Sequence, residues 1–107
     1  MRETRTIKLR KPLESPEGPV KQIVIREPTF DEYLVHGDPF TIASSSEGLP
    51  FVVENSEVIA KYIRLCLVEP KDPQILHQGT ARVAREVKEA LLGFFRQGEP
   101  EAEGSET

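Results

Sequence analysis

The sequence has little cysteine, no tryptophan and no long apolar run, and these shortages exclude several classes of protein. Cys66 is the only cysteine, so a secreted fold held together by internal disulfides is excluded. The longest apolar run, 65–68, is far shorter than the roughly 20 residues of a membrane-spanning helix. The amino terminus has no apolar signal segment. We therefore expect a cytoplasmic protein that makes no contact with a membrane.

The body of the chain also has no excess of positive or negative charge. The net charge is −4, and residues 98–107 hold four of the 18 acids and no base, which leaves 14 acids against 14 bases in residues 1–97. A dedicated nucleic-acid binder usually has a stronger positive bias, so we expect no nucleic-acid partner. Seven bases against three acids in residues 1–26 keep a small nucleic-acid-binding regulator as an alternative.

The length of 107 residues suits one domain, which we place at 1–97, followed by a disordered acidic tail at 98–107. Only 37% of the residues are hydrophobic, and a small domain of this kind is marginally stable as a monomer. Apolar helix faces that stay uncovered would favour self-association. We therefore expect a homo-oligomer.

Apolar alternation at Ile7 and Leu9, and again at Ile23 and Ile25, predicts two strands in an antiparallel hairpin over 4–27. Because two strands alone are unstable in water, one face of this hairpin should pack on helices.

Three helices are predicted after the hairpin. The spacing of Thr29 and Glu32 matches a capping box and predicts a short helix over 30–36. Its buried side should consist of three apolar residues, Phe30, Tyr33 and Leu34. Amphipathic patterns predict two longer helices over about 56–69 and 81–97, with Cys66 buried in the first. The fold class is therefore α+β: an N-terminal antiparallel β-hairpin, two main amphipathic helices and one short helix. Residues 38–54 have strand or loop character.

Spacings that support catalysis or metal binding are missing. His36 and His77 stand in no metal-ligand spacing, and residues 44–46, a serine triplet, lack the glycine frame of a nucleophile elbow. The glycines form no phosphate-binding motif. We expect no catalytic residue, no cofactor and no metal, so the chain should not be an enzyme.

Short blocks at the two ends of the folded body carry a resemblance to a known family. The first joins I-K-L-R-K-P at 7–12 to I-V-I-R-E-P-T-F-D-E at 23–32, with R-E-P-T at 26–29 as its most specific part. The second is A-R-V-A-R-E-V-K-E-A-L-L-G-F-F at 81–95. In order and spacing they resemble the short form of the phage tail assembly chaperones of the Mu-like and P2-like group. Residues 38–54 depart from the pattern of that family.

The resemblance implies a function and a set of partners. Such chaperones bind the tape measure protein and keep it soluble in the bacterial host cytoplasm until the tail tube polymerises, and they are absent from the mature virion. The implied partners are the tape measure protein and, second, the major tail tube protein. A structural tail-completion component of the virion is the alternative within the same system.

The candidate partner-binding surface combines apolar residues of the last helix with those around residues 38–54. Its members are Phe40, Phe51, Val52, Val87, Leu91, Phe94 and Phe95. Core packing remains the other interpretation for each of them.

Overall fold

The computed structural model describes residues 3–96 as strands and helices in mixed order. The strands are β1 (Thr4–Leu13), β2 (Val20–Arg26), β3 (Phe40–Ser44), β4 (Pro50–Glu54) and β5 (Leu67–Glu69). The helices are α1 (Phe30–His36), α2 (Ser56–Cys66), a 3₁₀ helix (Pro73–Gln78) and α3 (Ala81–Arg96). The predicted α+β class with an N-terminal hairpin is confirmed. The predicted helix end at 97 and the acidic tail at 98–107 lie outside the described residues.

The main sheet has three antiparallel strands in the order β1-β2-β5. Thr4 pairs with Arg26 and Lys8 with Gln22, and the register then shifts before Leu13 pairs with Val20. This irregularity lets β1 continue through Pro12, which cannot donate a backbone hydrogen bond to a regular ladder.

The prediction of one helix over 56–69 is wrong at its carboxyl end. Helix α2 stops at Cys66, and Leu67–Glu69 forms β5 instead. Leu67 pairs with Ile25 and Glu69 with Val24, so the strand uses backbone groups on the outer edge of β2. An apolar run such as 65–68 suits a helix or a buried strand, and the exposed edge of β2 decides between them.

The core lies between the main sheet and the helices α2 and α3. It buries residues from both layers: Ile7, Ile23, Ile25, Ile59, Tyr62, Cys66, Val87, Leu91, Leu92 and Phe94. Cys66 has no exposed surface, as predicted, and burial raises the pKa of its thiol to about 11. Cys66 is therefore a buried core residue.

Residues 40–54 form a second, separate hairpin, which we call the β3–β4 hairpin. Its antiparallel register runs from Phe40 paired with Glu54 to Ser44 paired with Pro50. Gly48 closes the turn with a φ of +84°, a conformation that favours glycine. Among the described residues its two strands form a sheet of their own, unconnected to the main sheet.

Candidate partner-binding surfaces

Helix α1 begins at the capping box that the sequence predicts. The Thr29 hydroxyl accepts a hydrogen bond from the Glu32 backbone N–H at 3.1 Å, and Glu32 Oε1 accepts one from the Thr29 N–H at 2.9 Å. These two bonds satisfy backbone donors that a helix start leaves open. The helix covers Phe30–His36, so its predicted bounds are confirmed.

The inner face of α1 is polar and is held by Arg26. Its guanidinium donates to Glu32 Oε1 at 3.0 Å and to Oε2 at 2.8 Å, and it also donates to the Leu65 carbonyl at 3.0 Å. One side chain of β2 thus joins α1 to the end of α2. The hydrogen bonds from Arg26 hold the pKa of Glu32 at about 2, against the opposing effect of partial burial.

Tyr62 of α2 holds the other end of α1. Its ring is fully buried, and its hydroxyl donates to the Gly37 carbonyl at 2.7 Å. The His36 ring lies edge-on to the Tyr62 ring, with the centroids 5.7 Å apart. Burial raises the pKa of Tyr62 to about 12, so this phenol remains a hydrogen-bond donor over the whole physiological range.

The outer face of α1 is apolar and exposed, which contradicts the predicted burial of Phe30, Tyr33 and Leu34. Phe30 is 77% exposed and Leu34 65%, Tyr33 is also exposed, and no residue of α1 is buried. Glu32 and His36 are four residues apart and face the body, so Phe30 and Leu34 are carried to the opposite side. The Arg26–Glu32 pair therefore orients the helix with its apolar side outward. We call Phe30, Leu34 and Val35 the α1 face.

A shallow apolar groove, which we call the aromatic groove, lies beside the α1 face, between α1 and the end of α3. Its volume is about 290 Å³, and its lining includes Phe30, Tyr33, Phe94 and Phe95. The ring centroids of Tyr33 and Phe95 are 6.3 Å apart, and those of Phe95 and Tyr62 are 5.1 Å apart. A row of aromatic rings thus connects the α1 face to the core.

The β3–β4 hairpin is a second exposed apolar surface. Ile42 and Val52 are cross-strand neighbours on one of its faces, while Val53 and Phe51 lie on the other. All four are exposed, and so is Leu49 at the turn. A two-stranded sheet that is apolar on both faces and covered on neither is unusual for an isolated chain.

The base of this hairpin is fixed to α3. Lys88 Nζ lies 2.9 Å from Glu54 Oε1, and the Arg96 guanidinium carbon lies 5.7 Å from the centre of the Phe40 ring. The Asn55 N–H donates to the Pro39 carbonyl at 2.8 Å. The hairpin is therefore positioned at its base while its apolar residues remain uncovered.

The seven residues of the predicted surface differ in how deeply they are buried. Val87, Leu91 and Phe94 are buried in the core, which removes them as independent contact residues, although the edge of Phe94 lines the aromatic groove. Phe40 and Phe95 are half-buried against the core, and only Phe51 and Val52 are well exposed. The amphipathic pattern of α3 fits a core helix equally well, and the packing of α3 on β1 and α2 decides for the core.

The predicted partner-binding surface did not include the α1 face or Leu49. The capping position of Glu32 was visible in the sequence, but its pairing with Arg26, which turns this side of α1 to the body, is seen only in the structure. Phe30 and Leu34, which are four residues apart on the opposite side of α1, then face solvent.

A third feature is a groove between the far end of β1 and the start of α3. The groove has a volume of about 800 Å³. Its bases are Lys8, Arg10, Lys11 and Arg82, and its acids are Glu14 and Glu86. Gln78 closes one end, since its side chain accepts from the Glu14 N–H and donates to the Glu14 carbonyl, both at 2.8 Å. We call this the basic groove.

Within residues 3–96, no group of three or more histidine, cysteine, aspartate or glutamate side chains is arranged to hold a metal ion. Over the same range, no helix has the length and apolar character needed to cross a membrane.

Comparison of this chain with protein-family models, with curated proteins and with solved structures finds no significant match.

Proposed function

We propose that this chain is a non-enzymatic tail assembly chaperone, of the kind its sequence resembles, which binds the tape measure protein and keeps it soluble. The α1 face is the observation that carries the proposal. A short helix that turns its polar side to the body and its apolar side to solvent stabilises the monomer little, yet it offers a contact surface. Reversible binding of an aggregation-prone apolar client requires a surface of this kind.

The proposed contact combines the α1 face with the adjacent aromatic groove. Phe30 is common to both, and Tyr33 and Phe95 extend the apolar area toward the core. An amphipathic helix of a client is recognised by such a groove through apolar side chains at helical spacing. The tape measure protein is the proposed client, and the major tail tube protein is a second proposed partner.

The remaining parts of the proposal concern assembly and location. Many copies are needed to cover a long client, so the chain is proposed to act as a homo-oligomer. It is proposed to act in the bacterial host cytoplasm and to leave before the virion is complete. It has no catalytic role, no cofactor and no nucleic-acid partner in this proposal.

The test is co-expression with the tape measure protein encoded near the tail tube gene. The fraction of the tape measure protein that stays in the supernatant after high-speed centrifugation is measured with wild-type chain and with Phe30→Ser/Leu34→Ser. We expect the double variant to lose most of the solubilising effect. Its own stability should be nearly unchanged, because both side chains are already exposed.

Leu65→Ser is the matched control, since Leu65 is an exposed leucine of α2 outside the α1 face. It should solubilise the client as well as wild type does. Full solubilisation by the double variant would contradict the proposal. Recovery of the chain from purified virions at a fixed stoichiometry would favour the structural tail-completion alternative instead.

A further inference from the structure

The β3–β4 hairpin is acidic as well as apolar. Residues 39–54 contain Glu47 and Glu54 and no lysine or arginine. Glu54 is already paired with Lys88 at the base, whereas Glu47 lies exposed at the turn. Leu49, two residues after Glu47, is exposed, and so is Val52 further along β4. The end of the hairpin thus presents a carboxylate beside an apolar surface.

The basic groove has the complementary character. Lys8, Arg10 and Lys11 occur within the run 8–12, which contains no acid, and Arg82 faces them from α3. Between these bases the groove is lined by apolar atoms of Leu9, Leu13 and Val83, among others. The groove therefore offers an excess of cations, four bases against Glu14 and Glu86, around an apolar floor, while the hairpin offers an anion beside an apolar end.

We propose that the β3–β4 hairpin of one copy docks in the basic groove of a second copy of this chain. Charge complementarity favours this occupant, because Glu47 would meet Lys11 and its neighbouring bases as Leu49 and Val52 cover the apolar floor. Docking also covers the uncovered sheet, which two strands require for stability. This inference states how copies associate, and it rests on the proposed function because that function includes self-association.

The contact joins two different surfaces, so it is heterologous and leaves a groove open at one end and a hairpin at the other. Further copies can add in the same way. The α1 face belongs to neither surface and stays accessible in the assembled chains. Self-association and client binding therefore use separate residues.

Charge reversal in purified chain tests the inference by sedimentation velocity over a range of concentrations. Glu47→Lys and Lys11→Glu should each raise the self-association Kd by about tenfold, as expected for a close charge pair across an interface. The double variant Glu47→Lys/Lys11→Glu has the wild-type net charge and should regain most of the affinity. Higher salt should weaken wild-type association, since screening reduces the attraction between these charges.

Two further variants complete the design. Lys61→Glu changes the net charge as Lys11→Glu does, but Lys61 is exposed on α2 outside both surfaces, so its Kd should match wild type. Val52→Ser should weaken association without a change of charge. Circular dichroism checks that each variant is folded.

A chain that remains monomeric at all concentrations overturns the inference, and so does association that both single reversals leave unchanged. Failure of the double variant to regain affinity also overturns it. Because no client is present, these outcomes are independent of the co-expression test of the proposed function.

Discussion

Arg26 is the residue on which the orientation of α1 depends. Its guanidinium reaches both carboxylate oxygens of Glu32 and the Leu65 carbonyl, a forked geometry that lysine lacks. The R-E-P-T block that carries the family resemblance is therefore structural, with Arg26 as the clamp and Thr29 as the helix cap. In the proposed function this block acts on client binding indirectly, since it turns the α1 face outward.

The depressed pKa of Glu32 predicts a loss of stability in acid. The folded pKa of about 2 lies below the ordinary value of 4.5, so the Arg26–Glu32 contact contributes fully above about pH 5. That contribution should disappear as the pH falls from about 5 to 2. Because the pair is partly exposed, we expect it to be worth about 1 to 2 kcal/mol. Urea unfolding at a series of pH values measures this.

Glu32→Gln distinguishes the contribution of the ion pair to stability from that of the helix cap, because glutamine retains the capping geometry without the charge. The variant should be less stable than wild type at pH 7, and the two should converge near pH 2. Asp31→Asn, in the same helical turn, keeps the pair and should show the wild-type acid decline. Parallel pH curves for wild type and Glu32→Gln would show that the ion pair contributes nothing.

At the scale of elements, local signals in the sequence were reliable and the tertiary context was not visible. The capping box defined α1 from Phe30 to His36, and the alternation around Ile7 and Ile23 defined the first hairpin. The change from α2 to β5 at Cys66 depends on the edge of β2, which is distant in sequence. Likewise, the spacing of apolar residues does not show which side of α1 faces the body. The contact of Arg26 with Glu32 determines that orientation.

We expect the body to fold without the β3–β4 hairpin. Its only half-buried large apolar residue is Phe40, at the base, whereas Ile42, Leu49, Phe51 and Val52 are exposed. Replacing 42–52 by a Gly-Gly link should therefore change the free energy of unfolding by less than about 1 kcal/mol. The same variant should lose self-association. Urea unfolding and sedimentation velocity measure the two effects.

The matched control for this deletion is a substitution in the body. Leu91→Ala empties a site with no exposed surface, and it should cost about 2 to 5 kcal/mol. A hairpin deletion as costly as Leu91→Ala would show that the hairpin supports the core, and its interpretation as a contact element would then be wrong.

At the scale of the whole molecule, two apolar surfaces on separate elements, α1 and the β3–β4 hairpin, are exposed. The charged residues of the β3–β4 hairpin are both acids, and we propose that this hairpin joins copies through the basic groove, whereas the α1 face is proposed to bind the client. In the proposed function, one surface joins copies and the other holds a client. A long client would then be bound by many weak contacts at once, which raises the overall affinity beyond that of any single contact.

This division of roles predicts how solubilisation depends on concentration. Glu47→Lys keeps the α1 face but weakens the contact between copies, so it should still prevent client aggregation, with a midpoint at a concentration at least about tenfold higher. Phe30→Ser/Leu34→Ser should lose most of its effect at every concentration, because most of the client contact itself is lost. Turbidity of diluted, denatured tape measure protein, titrated with each chain, gives the midpoints. Glu47→Lys/Lys11→Glu should return the midpoint to the wild-type value, whereas equal midpoints for Glu47→Lys and wild type would mean that single copies act alone.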